Sequence, residues 1–340
     1  MNHEELNAIA RAMVAKNKGI LAADESTSTI AKRFSGIKVD STEENRRTYR
    51  ELLFTTPGVS EYISGVILYD ETIRQKTKSG VPFPTYLAEL GIVPGIKVDT
   101  GAKPLAGFPG ETITEGLDGL RERLAAYHQL GARFAKWRAV IDIGSGIPTQ
   151  YAIDANAAAL ARYAALCQEA AIVPIVEPEV LMDGAHTLER CEEVSGLVLD
   201  RVFTHLFDAG VFFEGMILKP NMVVPGKKSG QKAAPEQVAA ATVRVLKRHV
   251  PSAVPGIAFL SGGQSSVDAT HHLQLINASG PLPWAVTFSY GRALQDDALK
   301  AWSGQASTIA LGQKALFKRA KLNGLASSGA YKSALESAAA

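Results

Sequence analysis

Short apolar runs alternate with long stretches of helical character along this chain. The apolar runs are GILAA (19–23), GVILY (65–69), GIKV (95–98), RFAKWRAV (133–140), IVPIV (172–176), GMILK (215–219), IAFL (257–260) and WAVTF (284–288). Helical patterns fill most of the gaps, over 42–54, 112–132, 154–170, 185–210 and 235–249. Ser41 followed by Glu44 predicts a capping box at the first of these. Pro235 falls in the first turn of the last, where its missing N–H costs nothing. Alternation of this kind implies parallel strands with helices outside. Eight repeats in 340 residues predict an α/β fold, a single closed (β/α)8 TIM barrel. A doubly wound open sheet is the alternative that the pattern leaves standing. Residues 1–19 read as an additional amphipathic N-terminal helix rather than a signal peptide. No linker-like tract splits the chain, so one domain spans 1–340, with residues 326–340, small and polar, expected to form a mobile C-terminal tail.

Composition narrows the function classes. The chain is 46% hydrophobic and 21% charged, as globular proteins are, and its formal net charge is +2. No global field argues for nucleic acid or a membrane surface, and no uncharged apolar run reaches the length of about 18 residues that a span needs. Cys167 and Cys191 form no C-x-x-C motif, which fits a reducing, cytoplasmic setting.

In such a barrel, chemistry gathers at the carboxyl ends of the strands. Those ends carry Asp24-Glu25-Ser26, Lys97, Lys136 with Arg138, Glu177-Pro178-Glu179, Lys219, Ser261-Gly262-Gly263-Gln264 and Ser289-Tyr290-Gly291-Arg292. Each has an ordinary explanation; a lysine at a strand end, as in EGMILKPNMV, usually snorkels to water. Their convergence argues otherwise. Side chains alternate along a strand, so Lys136 and Arg138 share a face, with Trp137 opposite, and Glu177 and Glu179 share another. FAKWRAVI is too apolar for an exposed edge, and a buried lysine needs a partner. Facing acids and bases would perturb one another's pKa values, as functional sites do. The glycines of 261–263 and 291 free backbone N–H groups for an anion, and Arg292 adds a guanidinium. The same loops of other barrels bind phosphate; a helix-capping turn is the plain reading of SGGQ. The seven histidines show no metal-ligand spacing, and there is no G-x-G-x-x-G or Walker loop, so neither metal nor cofactor is expected.

With these residues placed, the chain resembles the class I fructose-bisphosphate aldolases. The resemblance rests on GILAADEST (19–27), TEENRR (42–47), GIKVD (95–99), FAKWR (134–138), IVPIVEPE (172–179), LKPNMV (218–223), FLSGGQS (259–265) and FSYGRALQ (288–295), and covers roughly residues 1–320. It implies reversible, metal-independent cleavage of a ketose bisphosphate to dihydroxyacetone phosphate and glyceraldehyde 3-phosphate through a lysine Schiff base. By that resemblance Lys219 is the Schiff-base lysine, Lys136 assists proton transfers, Glu177 is the main acid/base, Glu179 supports the lysine network and Asp24 orients intermediates. Lys97 and Arg138 position substrate; Ser261, Gly262, Gly291 and Arg292 take the C1 phosphate, with Gly263 and Ser289 counted among the substrate- and phosphate-binding residues; Arg33 lies near the second phosphate end. Ser28-Thr29 stand where the family commonly has a glycine-serine pair. Lys219 must be neutral to attack a carbonyl, and an ordinary lysine, pKa about 10.4, is almost wholly charged at neutral pH. A neighbouring cation, with Lys136 the candidate, favours the neutral form. Asp24 and Glu177 are both candidates for the C4 hydroxyl proton. The family implies a homotetramer acting on sugar phosphates. Many members end on a tyrosine that reaches the active site; here the last tyrosine is Tyr331, which either substitutes or leaves that contribution absent.

Overall fold

In the computed structural model, which describes residues 2–338, eight parallel strands close into a barrel. They are β1 (Gly19–Ala22), β2 (Ile63–Leu68), β3 (Val93–Lys97), β4 (Phe134–Ile141), β5 (Val173–Val180), β6 (Ile217–Leu218), β7 (Gly256–Phe259) and β8 (Ala285–Tyr290). Around the ring they run β1, β8, β7, β6, β5, β4, β3, β2, so the open-sheet alternative falls away. Strands buried on both faces read as apolar runs, which is why they stood out in the sequence.

Alternation divides their side chains between two cores. Ile20, Ile67, Phe134, Val173, Ile175, Ile217 and Ala258 point inward and fill the lower half of the barrel. Space there is tight: a methyl on Gly95 would lie 2.3 Å from the Phe134 ring, so the ring fits only because that position has no side chain. The expected N-terminal helix, His3–Met13, seals the bottom. Leu6, Ala10 and Met13 are wholly buried against the inward set, and Asn7 donates to the Glu214 carbonyl at 2.8 Å. The opposite faces of the strands meet the helices; Trp137 packs there near Tyr163, ring centroids 5.6 Å apart.

The structure corrects several expectations. Residues 112–132 are not one helix: Thr112–Glu115 pairs antiparallel with Gly101–Pro104 as a hairpin, and the helix starts at Leu120. TITE alternates, and Gly116 and Gly119 turn the chain at φ +126° and +63°, conformations that a helix does not hold. The first capping residue is Thr42, not Ser41. The Thr42 hydroxyl accepts from the Asn45 amide at 3.1 Å, while Glu44 pairs with Arg47 at 2.6 Å instead of reaching back. β5 continues to Val180, so Glu177 and Glu179 lie within the strand rather than beyond it.

The C-terminal segment expected to move carries anchoring contacts. Tyr331 is buried, its amide donates to Gln274 Oε1 at 2.8 Å, and its hydroxyl donates to Glu336 Oε1 at 3.0 Å. Arg319 holds Glu336 through two bonds of 2.8 and 2.9 Å. Residues 339 and 340 of the expected tail lie outside the described residues.

Candidate active site

The inward positions change character at the carboxyl end of the barrel. β4 runs Phe134, Lys136, Arg138, and β5 runs Val173, Ile175, Glu177, Glu179, each apolar below and ionisable above. The cavity above them, about 620 Å³, is lined by Asp24, Arg33, Lys97, Lys136, Arg138, Glu177, Glu179, Lys219, Ser261, Gly262, Ser289, Gly291 and Arg292, among others. All but one of the site residues expected from the sequence therefore line a single space. Gly263 stands just outside it. No residue of β2 reaches the cavity, in keeping with its wholly apolar carboxyl end.

Lys219 follows the two-residue strand β6, and its amide donates to the Val176 carbonyl at 2.8 Å, which extends the ladder to the lysine itself. The side chain is buried, and its Nζ lies 3.3 Å from Glu177 Oε1. Glu177 Oε2 in turn is 3.6 Å from Lys136 Nζ, so one carboxylate stands between the two lysines. Lys136 reaches across the interior to Asp24 Oδ2 at 2.7 Å, with Asp99 at 3.9 Å. Burial opposes ionisation of Asp24, but Lys136, Lys219 and Lys97 outweigh it and hold the carboxyl well below the usual carboxylate range. Burial likewise works against charge on Lys136, and Asp24, Glu177 and Asp99 overcome it, raising that group above an ordinary lysine. Lys136 is thus a fixed cation. Arg138 is tied to Glu179 at 2.5 Å and Lys97 to Asp99 at 2.7 Å.

On the other side of the mouth, Gly262 and Gly263 adopt φ of +59° and +90°, which only glycine takes without strain. Neither amide has a partner among the described residues. Gly291 follows β8 and caps the helix Arg292–Trp302, so the positive end of that helix opens on the cavity. Ser289 Oγ and Glu177 Oε2 are buried without a hydrogen-bond partner among the described residues. Among those residues no group of three or more His, Cys, Asp or Glu side chains is placed to hold a metal ion.

The family described as "Glycolytic: Fructose-bisphosphate aldolase class-I" matches residues 5–340. The chain belongs to this family. It is 59% identical over 333 residues to a protein of Xanthomonas campestris pv. campestris described as a probable fructose-bisphosphate aldolase class 1, with 98% of this chain and all of that one covered. It is 55% identical to the cytosolic fructose-bisphosphate aldolase 4 of Arabidopsis thaliana, covering 96% of this chain and 84% of the relative. Among solved structures, the Plasmodium falciparum fructose-bisphosphate aldolase, in a ternary complex with TRAP and a small-molecule inhibitor, superposes with a TM-score of 0.96 at 50% identity, covering 97% and 96% of the two chains.

Three features of this aldolase site escaped sequence reasoning. Asp99 is buried and joins Lys97 to Lys136; its signal was the i, i+2 spacing from Lys97, the parity already used for Lys136 and Arg138. Glu25 is buried between Arg33 and Arg50, each at 2.5 Å, and Gln295 donates to it at 3.1 Å and to the Ala22 carbonyl at 2.6 Å. This network braces β1 on both sides of Asp24. Finally, Arg33 shares Glu25 with Arg50, and a methyl on Gly291 would lie 3.6 Å from its Nη2, so it sits on the β8 side of the mouth. Ser26 and Thr29 line the same rim. Tyr331 does not line the cavity; burial, then its bond to Glu336, pushes its hydroxyl pKa up to about 12. Among the described residues no helix is long and apolar enough to cross a membrane.

Proposed function

We propose that this cavity cleaves fructose bisphosphate reversibly to dihydroxyacetone phosphate and glyceraldehyde 3-phosphate, with Lys219 as the covalent nucleophile. The observation that carries the assignment is a buried lysine in contact with a carboxylate at the closed end of a polar cavity. Lys219 Nζ attacks the C2 ketone after giving up its proton, for which Glu177 Oε1 is the nearest acceptor at 3.3 Å. Glu177 returns a proton to the carbinolamine oxygen, water leaves, and a cationic iminium forms. A base takes the C4 hydroxyl proton; the C3–C4 electrons pass into the iminium, giving an enamine on Lys219 and the free aldehyde. Protonation at C3 and hydrolysis of the imine release the ketone and regenerate the lysine.

Asp24 is committed to Lys136 as an anion, whereas Glu177 has one buried oxygen without a hydrogen-bond partner among the described residues. That difference favours Glu177 as the proton carrier and Asp24 as the group that orients the C4 hydroxyl. Lys136 then stabilises negative charge that develops near it. The amides of Gly262 and Gly263, the start of the helix at Arg292 and its guanidinium suit the C1 phosphate. Ser289 donates to the same region, while Lys97 and Arg138 position the remainder of the sugar.

Borohydride reduction in the presence of fructose bisphosphate tests the assignment. The adduct is expected on the peptide bearing Lys219; an adduct elsewhere, or none, rejects it. We also read the enzyme as a cytoplasmic homotetramer: its cytosolic plant relative supports the setting, and the tetramer is what the family resemblance implies. Light scattering from the purified protein checks for four chain masses.

A further inference from the structure

We propose that Lys227 is a third cationic arm of the phosphate site, held in reserve by Asp183 until a ketose C1 phosphate arrives. The inference rests on the reading that the loops at 261–263 and 291–292 bind that phosphate. Three backbone bonds fix the base of the arm: the amides of Gly226, Lys227 and Lys228 donate to the carbonyls of His186, Met182 and Gly184 at 2.8, 2.7 and 2.9 Å. The side chain then leans over Gly263. A methyl on that glycine would lie 2.7 Å from Lys227 Nζ and 3.4 Å from Arg292 Nη2, so both cations crowd the same small patch of backbone. Two positive groups do not gather there for each other's sake. An anion bound on that patch would meet both of them.

Asp183 accounts for where the ammonium rests meanwhile. Its Oδ1 lies 3.0 Å from Lys227 Nζ, and both side chains are substantially exposed, 62% and 44%. An exposed pair of this kind holds weakly. A phosphate dianion already gripped by glycine amides and Arg292 competes with a lone carboxylate on favourable terms. Gly263, which lies outside the cavity proper, also gains a purpose. Any larger residue there would occupy the space through which Lys227 approaches.

The test uses the full-length enzyme and two readouts, steady-state kinetics with fructose bisphosphate and competition by inorganic phosphate. Lys227→Met is expected to raise KM and the phosphate inhibition constant roughly tenfold or more, the value of one charge-assisted hydrogen bond. The loss falls on KM more than on kcat, and Lys227→Arg restores most of it. Asp183→Asn removes the ion pair but keeps the ammonium, so it must not reproduce the loss; an equal loss assigns the pair a purely structural role and overturns the inference. If Lys227→Met leaves both constants within twofold while Arg292→Ala raises them, Lys227 has no part in binding and the phosphate site stands. If Arg292→Ala also changes neither, the phosphate site itself is misplaced and the inference falls with it.

Discussion

Glu177 touches two lysines to which the proposed mechanism gives unlike duties, and single substitutions separate them. Lys219→Met is expected to reduce cleavage to background with the fold intact, checked by activity and circular dichroism. Glu177→Gln keeps the shape but not the proton carrier, and kcat should fall by about 10²- to 10⁴-fold; a change under tenfold would shift the role to Asp24. The Asp24–Lys136 pair makes a prediction about pH. The Asp24 carboxyl titrates below its ordinary value of 3.8 and the Lys136 ammonium above its ordinary 10.5. On lowering the pH past 3.8 the unfolded chain takes up a proton that native Asp24 refuses, so that part of the stability is lost as pH falls. On raising it past 10.5 the unfolded chain gives up a proton that native Lys136 keeps, and its contribution is lost as pH rises. Thermal melts from about pH 5 down to about pH 2 should therefore show a shallower acid decline for Asp24→Asn than for the parent. At this scale the sequence was most readable where parity applied. Lys136 could be placed on one face with Arg138, and Glu177 with Glu179, because alternation within a strand is strict. Glu25 could not be read that way: its partners Arg50 and Gln295 come from distant helices, and no local period connects them.

Elements follow from how much apolar surface each must cover. The strands were legible as runs because both faces are buried, and their number gave the barrel. The hairpin at 101–115 was not, since four-residue strands leave too short a pattern to outvote the helix that follows. Caps and boundaries moved by a residue or more: at the start of the helix expected over 42–54, Arg46 donates to both the carbonyl and the hydroxyl of Ser41, while the Thr42 hydroxyl takes the Asn45 amide. Packing inside the barrel can be tested at Gly95. Gly95→Ala drives a methyl into the Phe134 ring and should destabilise by about 1–3 kcal/mol, as overpacked cores do. Phe134→Leu in the same chain should recover part of that loss, and denaturant titration of the two variants decides it. The helix His3–Met13 offers the converse case. Leu6→Ala leaves a hole under the barrel and should cost about 2–5 kcal/mol, with kcat/KM nearly unchanged because the ionisable groups lie at the far end.

The whole molecule is closed at one end and chemically active at the other. The described part of its C-terminal segment is tied down through Arg319, Glu336 and Tyr331 rather than lying across the mouth. Glu336→Gln weakens both ties, and limited proteolysis should cut after residue 327 faster in the variant than in the parent while the barrel fragment stays intact. The seal beneath the barrel has a consequence for traffic. With Leu6, Ala10 and Met13 filling the floor, the cavity is a cul-de-sac. The sugar enters, the water shed by imine formation escapes, and both fragments depart through one doorway. In the proposed mechanism, while the three-carbon enamine is still bonded to Lys219, only the aldehyde is free to leave. The incoming aldehyde of the reverse reaction must meet that enamine by the same route, so each direction of the reaction retraces the other's steps in space as well as in chemistry.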